Sequence, residues 1–153
     1  MKFRSLSMFS AAVLIIAGVA FADAEKKIDL SKVKCMMSGK ACKASAAADH
    51  NGGKVHFCCG GCLAKFKKDT KKYATKANLH LVATKQAVQK HCPMSGGPCK
   101  DGTEVKVGGV EVAFCCPKCK GAAESKKGDD QLDLVFSDKA FKKGFEIAKN
   151  DAK

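Results

Sequence analysis

Ten cysteines are the residues of this 153-residue sequence whose type and spacing suggest chemistry, and they form two sets of five. Thiolates bind soft metal ions, and they are also the reactive form in disulfide exchange. A shift of 57 residues superimposes the first set on the second: Cys35, Cys42, Cys58, Cys59 and Cys62 on Cys92, Cys99, Cys115, Cys116 and Cys119. Five cysteines in register indicate one unit that occurs twice.

Each Cys-Cys pair is predicted to lie where a strand meets a helix. In the second copy, valines alternate with polar residues on both sides of Gly108-Gly109, which is typical of a hairpin with a two-residue turn. Asn51-Gly52 occupies the same turn in the first copy. Pro117 suits the first position of a helix, so we expect Cys116 to be the N-cap and Cys119 to lie in the first turn.

The same correspondence makes Cys59 the N-cap of a helix that runs to about Tyr73. Residues 79–82 and 132–135 are short apolar runs, and we interpret them as returning strands. Ser137 then caps a final helix, whose packing face carries Phe141, Phe145 and Ala148.

The predicted fold is α+β, with two small zinc-finger-like pseudo-repeat units packed together, at residues 31–90 and 91–149. Each unit is a cysteine loop, a β-hairpin, a helix and a returning short strand. Units of this size bury a small core and usually need a metal or disulfides for stability.

Residues 1–22 have a basic start, an apolar stretch and a small-residue exit, which is typical of a cleaved signal peptide. We therefore expect a periplasmic or secreted protein with no membrane span. Without that leader the chain has 26 basic residues, all lysine, against 15 acidic ones. The absence of arginine argues against a nucleic-acid partner, and the lysines are interpreted as a solvated coat.

Local geometry restricts which sulfurs can share a metal. The N-cap and the third helical position lie close together, which favours Cys59 with Cys62. Strand alternation sends Cys58 and Cys59 to opposite faces, so one of these two can belong to another site. A loop pair that faces a helix-start pair is also how small Cys₄ zinc sites are built. The candidate metal ligands are Cys35, Cys58, Cys59, Cys62, Cys92, Cys115, Cys116 and Cys119, with Cys42 and Cys99 as further candidates.

Spacing and local sequence resemble a known family. The pattern Cys35-x22-Cys58-x3-Cys62 and its repeat from Cys92 are similar to the three-cysteine TRASH type of metal-binding module, and residues 57–73 resemble the YHS-domain signature. The resemblance implies heavy-metal binding, with Zn²⁺ or Cu⁺ expected, in trafficking, sensing or resistance. It also implies that Cys35, Cys58 and Cys62 are ligands, and it suggests a metal-handling protein of the cell envelope as partner.

Two other functions stay open from the sequence. An exported protein meets an oxidising compartment, where cysteines commonly become a disulfide scaffold, although five per unit is an odd number. Cys59-x-x-Cys62 and Cys116-x-x-Cys119 also open helices as the motifs of thiol–disulfide exchange proteins do. We expect no enzyme activity, because the sequence has no catalytic constellation.

The histidines have no counterpart histidine in the other copy, and we predict that they lie on the surface: His50, His56, His80 and His91. His56 is the best nitrogen-ligand candidate of the four because it neighbours the cysteine motif. Met36, Met37 and Met94 adjoin the loop cysteines and are predicted to pack the loops, with copper(I) ligation as the alternative.

Overall fold

The computed structural model describes residues 28–30 and 33–148, so the predicted signal peptide lies outside the described residues. Within them the chain forms six short strands and five helices, which confirms the α+β class. In chain order the elements are β1 (Lys43–His50), β2 (Gly53–Phe57), α1 (Gly60–Lys68), α2 (Thr70–Ala83), β3 (Ala87–Gln89), β4 (Val105–Val107), β5 (Val110–Val112), α3 (Pro117–Glu124), α4 (Gly128–Phe136), α5 (Asp138–Gly144) and β6 (Phe145–Ile147).

Both predicted hairpins are confirmed. β1 pairs with β2 around Asn51-Gly52, and β4 pairs with β5 around Gly108-Gly109. All four turn residues have positive φ, at 45° and 84° in the first turn and 59° and 90° in the second. Two consecutive residues with positive φ define the turn whose twist matches that of paired strands, and glycine adopts it without a steric penalty.

The helix predicted from Cys59 to about Tyr73 is broken at Asp69. Asp69 ends α1, and its carboxylate accepts a hydrogen bond of 3.1 Å from the backbone N–H of Lys72, so it also caps α2. A carboxylate at this position satisfies an otherwise unpaired N–H of the first helical turn. Residues Thr70–Ala83 therefore form a separate helix that begins directly after Asp69.

The prediction of strands at 79–82 and 132–135 is wrong, because these runs lie inside α2 and α4. Buried residues of α2 include Ala74, Ala77, Asn78 and Leu81, which recur at helical spacing. An apolar run of four residues fits a strand and a buried helix equally well, and the longer periodicity decides between them. The prediction that Phe145 lies in the final helix is also wrong, since α5 ends at Gly144 and Phe145 begins β6.

The returning strands are β3 and β6, and they pair antiparallel with each other, with Val88 opposite Glu146. Each comes from a different half of the chain, the first half being residues 33–90 and the second half residues 91–148. Helices α2 and α4 also pack together across this boundary. The two halves thus share a sheet and a helix contact.

One continuous apolar core runs through both halves. Phe141 and Phe145 are buried in it, which confirms their predicted packing role. The valines of the second hairpin also contact it, as their alternation predicts. The largest fully buried side chains include Phe57, Phe66, Phe114, Phe136 and Leu81.

Gly144 is expected to be the least replaceable glycine. A Cβ atom there would lie 2.8 Å from the backbone Cα of Pro93 and 2.9 Å from the carbonyl oxygen of His91. Gly144→Ala should therefore destabilise the protein by about 2 kcal/mol, since overpacking against a fixed backbone forces a shift. Urea unfolding measures the effect.

Gly121 in α3 is the matched control, because a Cβ atom there would meet nothing within 4 Å. Gly121→Ala should stabilise the protein by about 0.5–1 kcal/mol, the usual gain for alanine over glycine inside a helix. Equal unfolding midpoints for the two variants would contradict the close approach at Gly144.

Candidate metal centres

Three cysteines of the first half converge at one point. Cys35 lies in the loop before β1, Cys58 directly follows β2, and Cys62 lies in the first turn of α1. Their sulfurs all lie within 4.8 Å of one another, and those of Cys58 and Cys62 are 3.7 Å apart. Cys35 and Cys58 are buried, whereas Cys62 is half-buried. We call this set the first cluster.

The second half contains the same arrangement, which we call the second cluster. The sulfurs of Cys92, Cys115 and Cys119 also lie within 4.8 Å of one another, and the distance from Cys115 to Cys119 is again 3.7 Å. Cys92 is buried, and the other two cysteines are half-buried. Hairpin, helix start and loop therefore bring three sulfurs together in each half.

A tight loop orients the first cysteine of each cluster. The backbone N–H of Cys35 donates to the carbonyl of Lys40 over 2.7 Å, and the N–H of Gly39 donates back to the carbonyl of Cys35 over 2.8 Å. Cys92 makes the corresponding bonds with Gly97 and Gly96. Gly39 and Gly96 have φ of 69° and 79°, a conformation that favours glycine.

A serine of the same loop contacts each cluster. Ser38 Oγ lies 3.1 Å from Cys58 Sγ, and Ser95 Oγ donates to Cys115 Sγ over the same distance. Such contacts orient metal ligands and tune their basicity. Sequence reasoning missed this role, although the Met-Ser-Gly triplet that occurs in both loops is a signal for it.

The loop cysteine of each cluster has a lowered pKa. Burial, the largest contribution, raises the pKa of Cys35, but N–H groups of Cys58, Met37 and Ser38 outweigh it and lower the pKa to about 6. The pKa of Cys92 is lowered to about 7, because hydrogen bonds led by Ser95 outweigh its burial. In each cluster the pKa of one sulfur is therefore below that of an ordinary thiol, which favours its thiolate form.

The helix-start cysteine of each cluster is held as a thiol. The hydrogen bond with Cys58 raises the pKa of Cys62 to about 12, with burial second, and burial followed by Cys115 raises the pKa of Cys119 to about 12. Neighbouring sulfurs thus resist a second negative charge. A bound cation reverses this preference, because it deprotonates the thiols that coordinate it.

Cys59 and Cys116 are the N-caps of α1 and α3, as predicted. Their sulfurs lie 3.7 Å from those of Cys58 and Cys115, but outside the two groups whose members are all within 4.8 Å. The backbone N–H of Cys62 is the main cause that lowers the pKa of Cys59, and that of Cys119 does the same for Cys116. Each is a fourth sulfur beside a cluster of three.

Cys42 and Cys99 have a different environment. Cys42 Sγ donates a hydrogen bond of 3.2 Å to the carbonyl of His56, and Cys99 Sγ donates one of 3.5 Å to that of Ala113. Burial, followed by the charges of the nearby cluster cysteines, raises the pKa of Cys42 to about 11 and also raises that of Cys99. Both side chains are thiols that tie the loop to the adjacent strand.

The prediction of surface histidines is wrong for His56 and His80, which are only 5% and 4% exposed. The N–H of His56 donates to Nε2 of His80 over 3.1 Å, and the two rings stack at 5.8 Å. Helix α2 covers the second face of β2, so Val55 and His56, which point to opposite faces, are both buried. Neither histidine belongs to a cluster of possible metal ligands among the described residues.

We expect His80 to make the metal-free protein acid-sensitive. Burial, reinforced by His56, lowers the pKa of His80 from 6.5 to about 4. Its contribution to stability is therefore complete above pH 6.5 and is lost as the pH falls towards 4, where the unfolded chain binds the extra proton. The loss is at most about 3 kcal/mol, and urea unfolding across this pH range measures it.

His80→Gln is the control, because glutamine can accept the His56 N–H without titrating. The variant should lose less stability than the wild type between pH 6.5 and pH 4. An identical loss in both proteins would assign the acid sensitivity to other groups.

One sulfur–sulfur distance in each cluster matches the edge of a tetrahedral metal site. With a zinc–sulfur bond of about 2.3 Å, sulfurs at the corners of a tetrahedron lie about 3.8 Å apart. The 3.7 Å separations in both clusters match this edge. Each cluster can therefore hold a metal ion, with three sulfurs as ligands and a fourth position beside them.

No family model, curated protein or solved structure matches the chain. Its class is thus defined by fold and site alone, as an α+β chain with two cysteine clusters that can each bind a metal. Among the described residues, no helix has the length and apolar character needed to cross a membrane.

Proposed function

We propose that the chain is an exported heavy-metal-binding protein that holds zinc or copper(I) at two cysteine-thiolate centres. The observation that carries this proposal is the convergence of three sulfurs within 4.8 Å, twice, each with a serine in contact. The same three-sulfur arrangement with a serine contact occurs twice, and this favours ligand binding over a purely structural role for the cysteines. The role is trafficking, sensing or resistance, without catalysis.

The environment of the sulfurs supports thiolate ligation over a disulfide scaffold. All ten cysteines lie within the described residues, and none of them forms a disulfide there. In each cluster three sulfurs share one point, whereas a disulfide joins two and leaves the third unpaired. The pKa of the loop cysteine is lowered in each half, at Cys35 and at Cys92. This also supports metal binding, because the thiolate is the form that coordinates a metal.

The proposed family is that of YHS and TRASH-like modules, with units at residues 31–90 and 91–149. The ligand set that the resemblance implies, Cys35, Cys58 and Cys62, is the set whose sulfurs converge, and this supports the assignment. Export rests on the leader-like sequence of residues 1–22, and the proposed partner is a metal-handling protein of the cell envelope.

The test is elemental analysis combined with a free-thiol count on protein purified from its native compartment without reductant. We expect about two equivalents of zinc or copper, one for each cluster. Mass spectrometry that finds neither metal nor free thiols would overturn the proposal in favour of a disulfide scaffold.

Thiol–disulfide exchange is the second candidate, and one observation favours it. Cys59 is an exposed N-cap with a lowered pKa, caused mainly by the N–H of Cys62, and Cys62 follows in the same helical turn. A nucleophilic thiolate with a nearby resolving thiol is the arrangement that exchange needs. Reduction of a test disulfide that is lost in the double variant Cys59→Ser, Cys116→Ser would support it.

A further inference from the structure

The two fourth sulfurs have the same backbone geometry. Cys59 and Cys116 are both extended N-caps, with φ and ψ of −162° and 167° in one and −163° and 163° in the other. Each sulfur lies 3.7 Å from the neighbouring cluster cysteine. A fourth ligand to a metal held by the cluster is therefore available in both halves.

Their accessibility differs. All ten cysteines belong to the described residues, and Cys59 alone among them is exposed, whereas Cys116 is half-buried. The buried Cys35 and Cys58 form the inner side of the first cluster, so Cys59 marks its solvent side. A ligand from solution reaches the first cluster at this sulfur.

The residues that follow the two sulfurs also differ. Cys59 precedes Gly60-Gly61, and Cys116 precedes Pro117-Lys118. A Cβ atom at Gly60 would meet nothing within 4 Å, and one at Gly61 would meet only the Cys59 sulfur, at 3.9 Å. The glycines therefore leave this sulfur uncovered, whereas Lys118 adds a side chain at the corresponding position.

The residues after the two sulfurs also differ in how strongly they restrict the backbone. Glycine restricts the backbone less than any other residue, and Gly60 and Gly61 begin α1 directly after Cys59. Proline fixes φ at the first position of α3 and restricts the residue before it, which is Cys116. The same sulfur position is thus exposed and followed by two glycines in the first half, and half-buried and followed by proline in the second.

We propose that the first cluster exchanges its metal with external thiolates through Cys59, whereas the second cluster retains its metal. The proposal rests on the metal-binding function given above. In the exchange step a sulfur–metal bond forms from the incoming thiolate as the bond from the metal to Cys59 breaks. The incoming thiol releases its proton to solvent, Cys59 takes one up, and no electron is transferred.

The test uses the full chain loaded with two equivalents of zinc. The loaded protein is mixed with an excess of a chromogenic zinc chelator at increasing concentrations of free cysteine or of a short Cys-x-x-Cys peptide. We expect two release phases of equal amplitude, of which only the fast one accelerates with thiol concentration. The more effective thiol identifies the source as a small molecule or a peptide dithiol.

Brief alkylation during release, followed by peptide mapping, assigns the phases to the clusters. Cysteines of the first cluster should be labelled before those of the second. Two exchanged variants, in which the two residues after Cys59 and after Cys116 are swapped between the halves, then test whether these residues set the release rates. Gly60→Pro with Gly61→Lys should slow the fast phase about threefold or more, because the junction loses backbone freedom. Pro117→Gly with Lys118→Gly should accelerate the slow phase, and it tests the same cause if the first pair of substitutions prevents folding.

Release of both metals at one rate, or earlier labelling of the second cluster, would overturn the proposal while leaving metal binding intact. Failure of the proposed function gives a different result, since no zinc would then be bound at the start. Unchanged phases in both exchanged variants would also overturn the role of the residues after Cys59.

Discussion

Replacement of Cys58 by serine is expected to reduce the metal content of the loaded chain from two equivalents to one. Cys58 is buried, and its sulfur lies 3.7 Å from those of both Cys62 and Cys59 and 3.1 Å from Ser38 Oγ, so its loss removes the central sulfur of the first cluster. Loss of a residue that only supports a ligand costs 10–100-fold in metal affinity, so loss of Cys58 itself should cost more than about 100-fold. Metal content after dialysis against a weak chelator measures the effect.

Cys42→Ser is the matched control. Cys42 is another partly buried cysteine of the first half, but its sulfur donates to the carbonyl of His56, and serine can donate the same hydrogen bond. This variant should keep both metals. Equal metal loss in the Cys42 and Cys58 variants would contradict the assignment of the first cluster.

The reciprocal substitution, Cys115→Ser, should empty the second cluster and leave the first one loaded. Cys115 has the same two contacts, with Cys119 Sγ at 3.7 Å and Ser95 Oγ at 3.1 Å. The thermal midpoint should also fall in both variants, because a structural metal contributes on the order of 10 kcal/mol to folding. A chain that loses both metals after either substitution would indicate one shared site.

The second large effect is expected at Asn78, at the contact between the halves. Asn78 is fully buried, and its amide donates to the carbonyl of Phe136 and to the carboxylate of Asp138, both over 2.9 Å. Its carbonyl oxygen accepts from Asn51 over 2.7 Å and lies 3.0 Å from His50 Nε2. Every hydrogen-bonding position of this side chain is therefore used.

Asn78→Leu should destabilise the protein by about 3 kcal/mol, because the similarly sized side chain leaves the buried carbonyl of Phe136 and its polar neighbours without partners. Urea unfolding of the metal-loaded protein measures this loss.

The control is the ion pair of Lys76 with Asp129, which also joins α2 to α4, at 3.1 Å. The side chain of Asp129 is 74% exposed and that of Lys76 is 40% exposed, so the pair is well solvated and Lys76→Ala should cost at most about 1 kcal/mol. If the two substitutions had equal effects, the buried network at Asn78 would not hold the halves together.

Several elements follow from local sequence, for a physical reason in each case. Asn51-Gly52 and Gly108-Gly109 adopt positive φ, which the hairpin turn requires, and Pro117 begins a helix where its missing N–H costs nothing. The prediction of strands at 79–82 and 132–135 was wrong, because an apolar run of four residues fits both the two-residue period of a strand and the 3.6-residue period of a helix.

Sequence by itself determined the pair of cysteine sets, the hairpins that precede the two Cys-Cys pairs and the N-cap positions of Cys59 and Cys116, because spacing and turn chemistry are local properties. The family resemblance implied Cys35, Cys58 and Cys62 as ligands, and only the tertiary structure brings their sulfurs together with Cys59 beside them. It also decided that β3 pairs with β6. Both outcomes depend on how a loop, a hairpin and a helix approach one another, and such packing brings together residues too far apart for local sequence to relate.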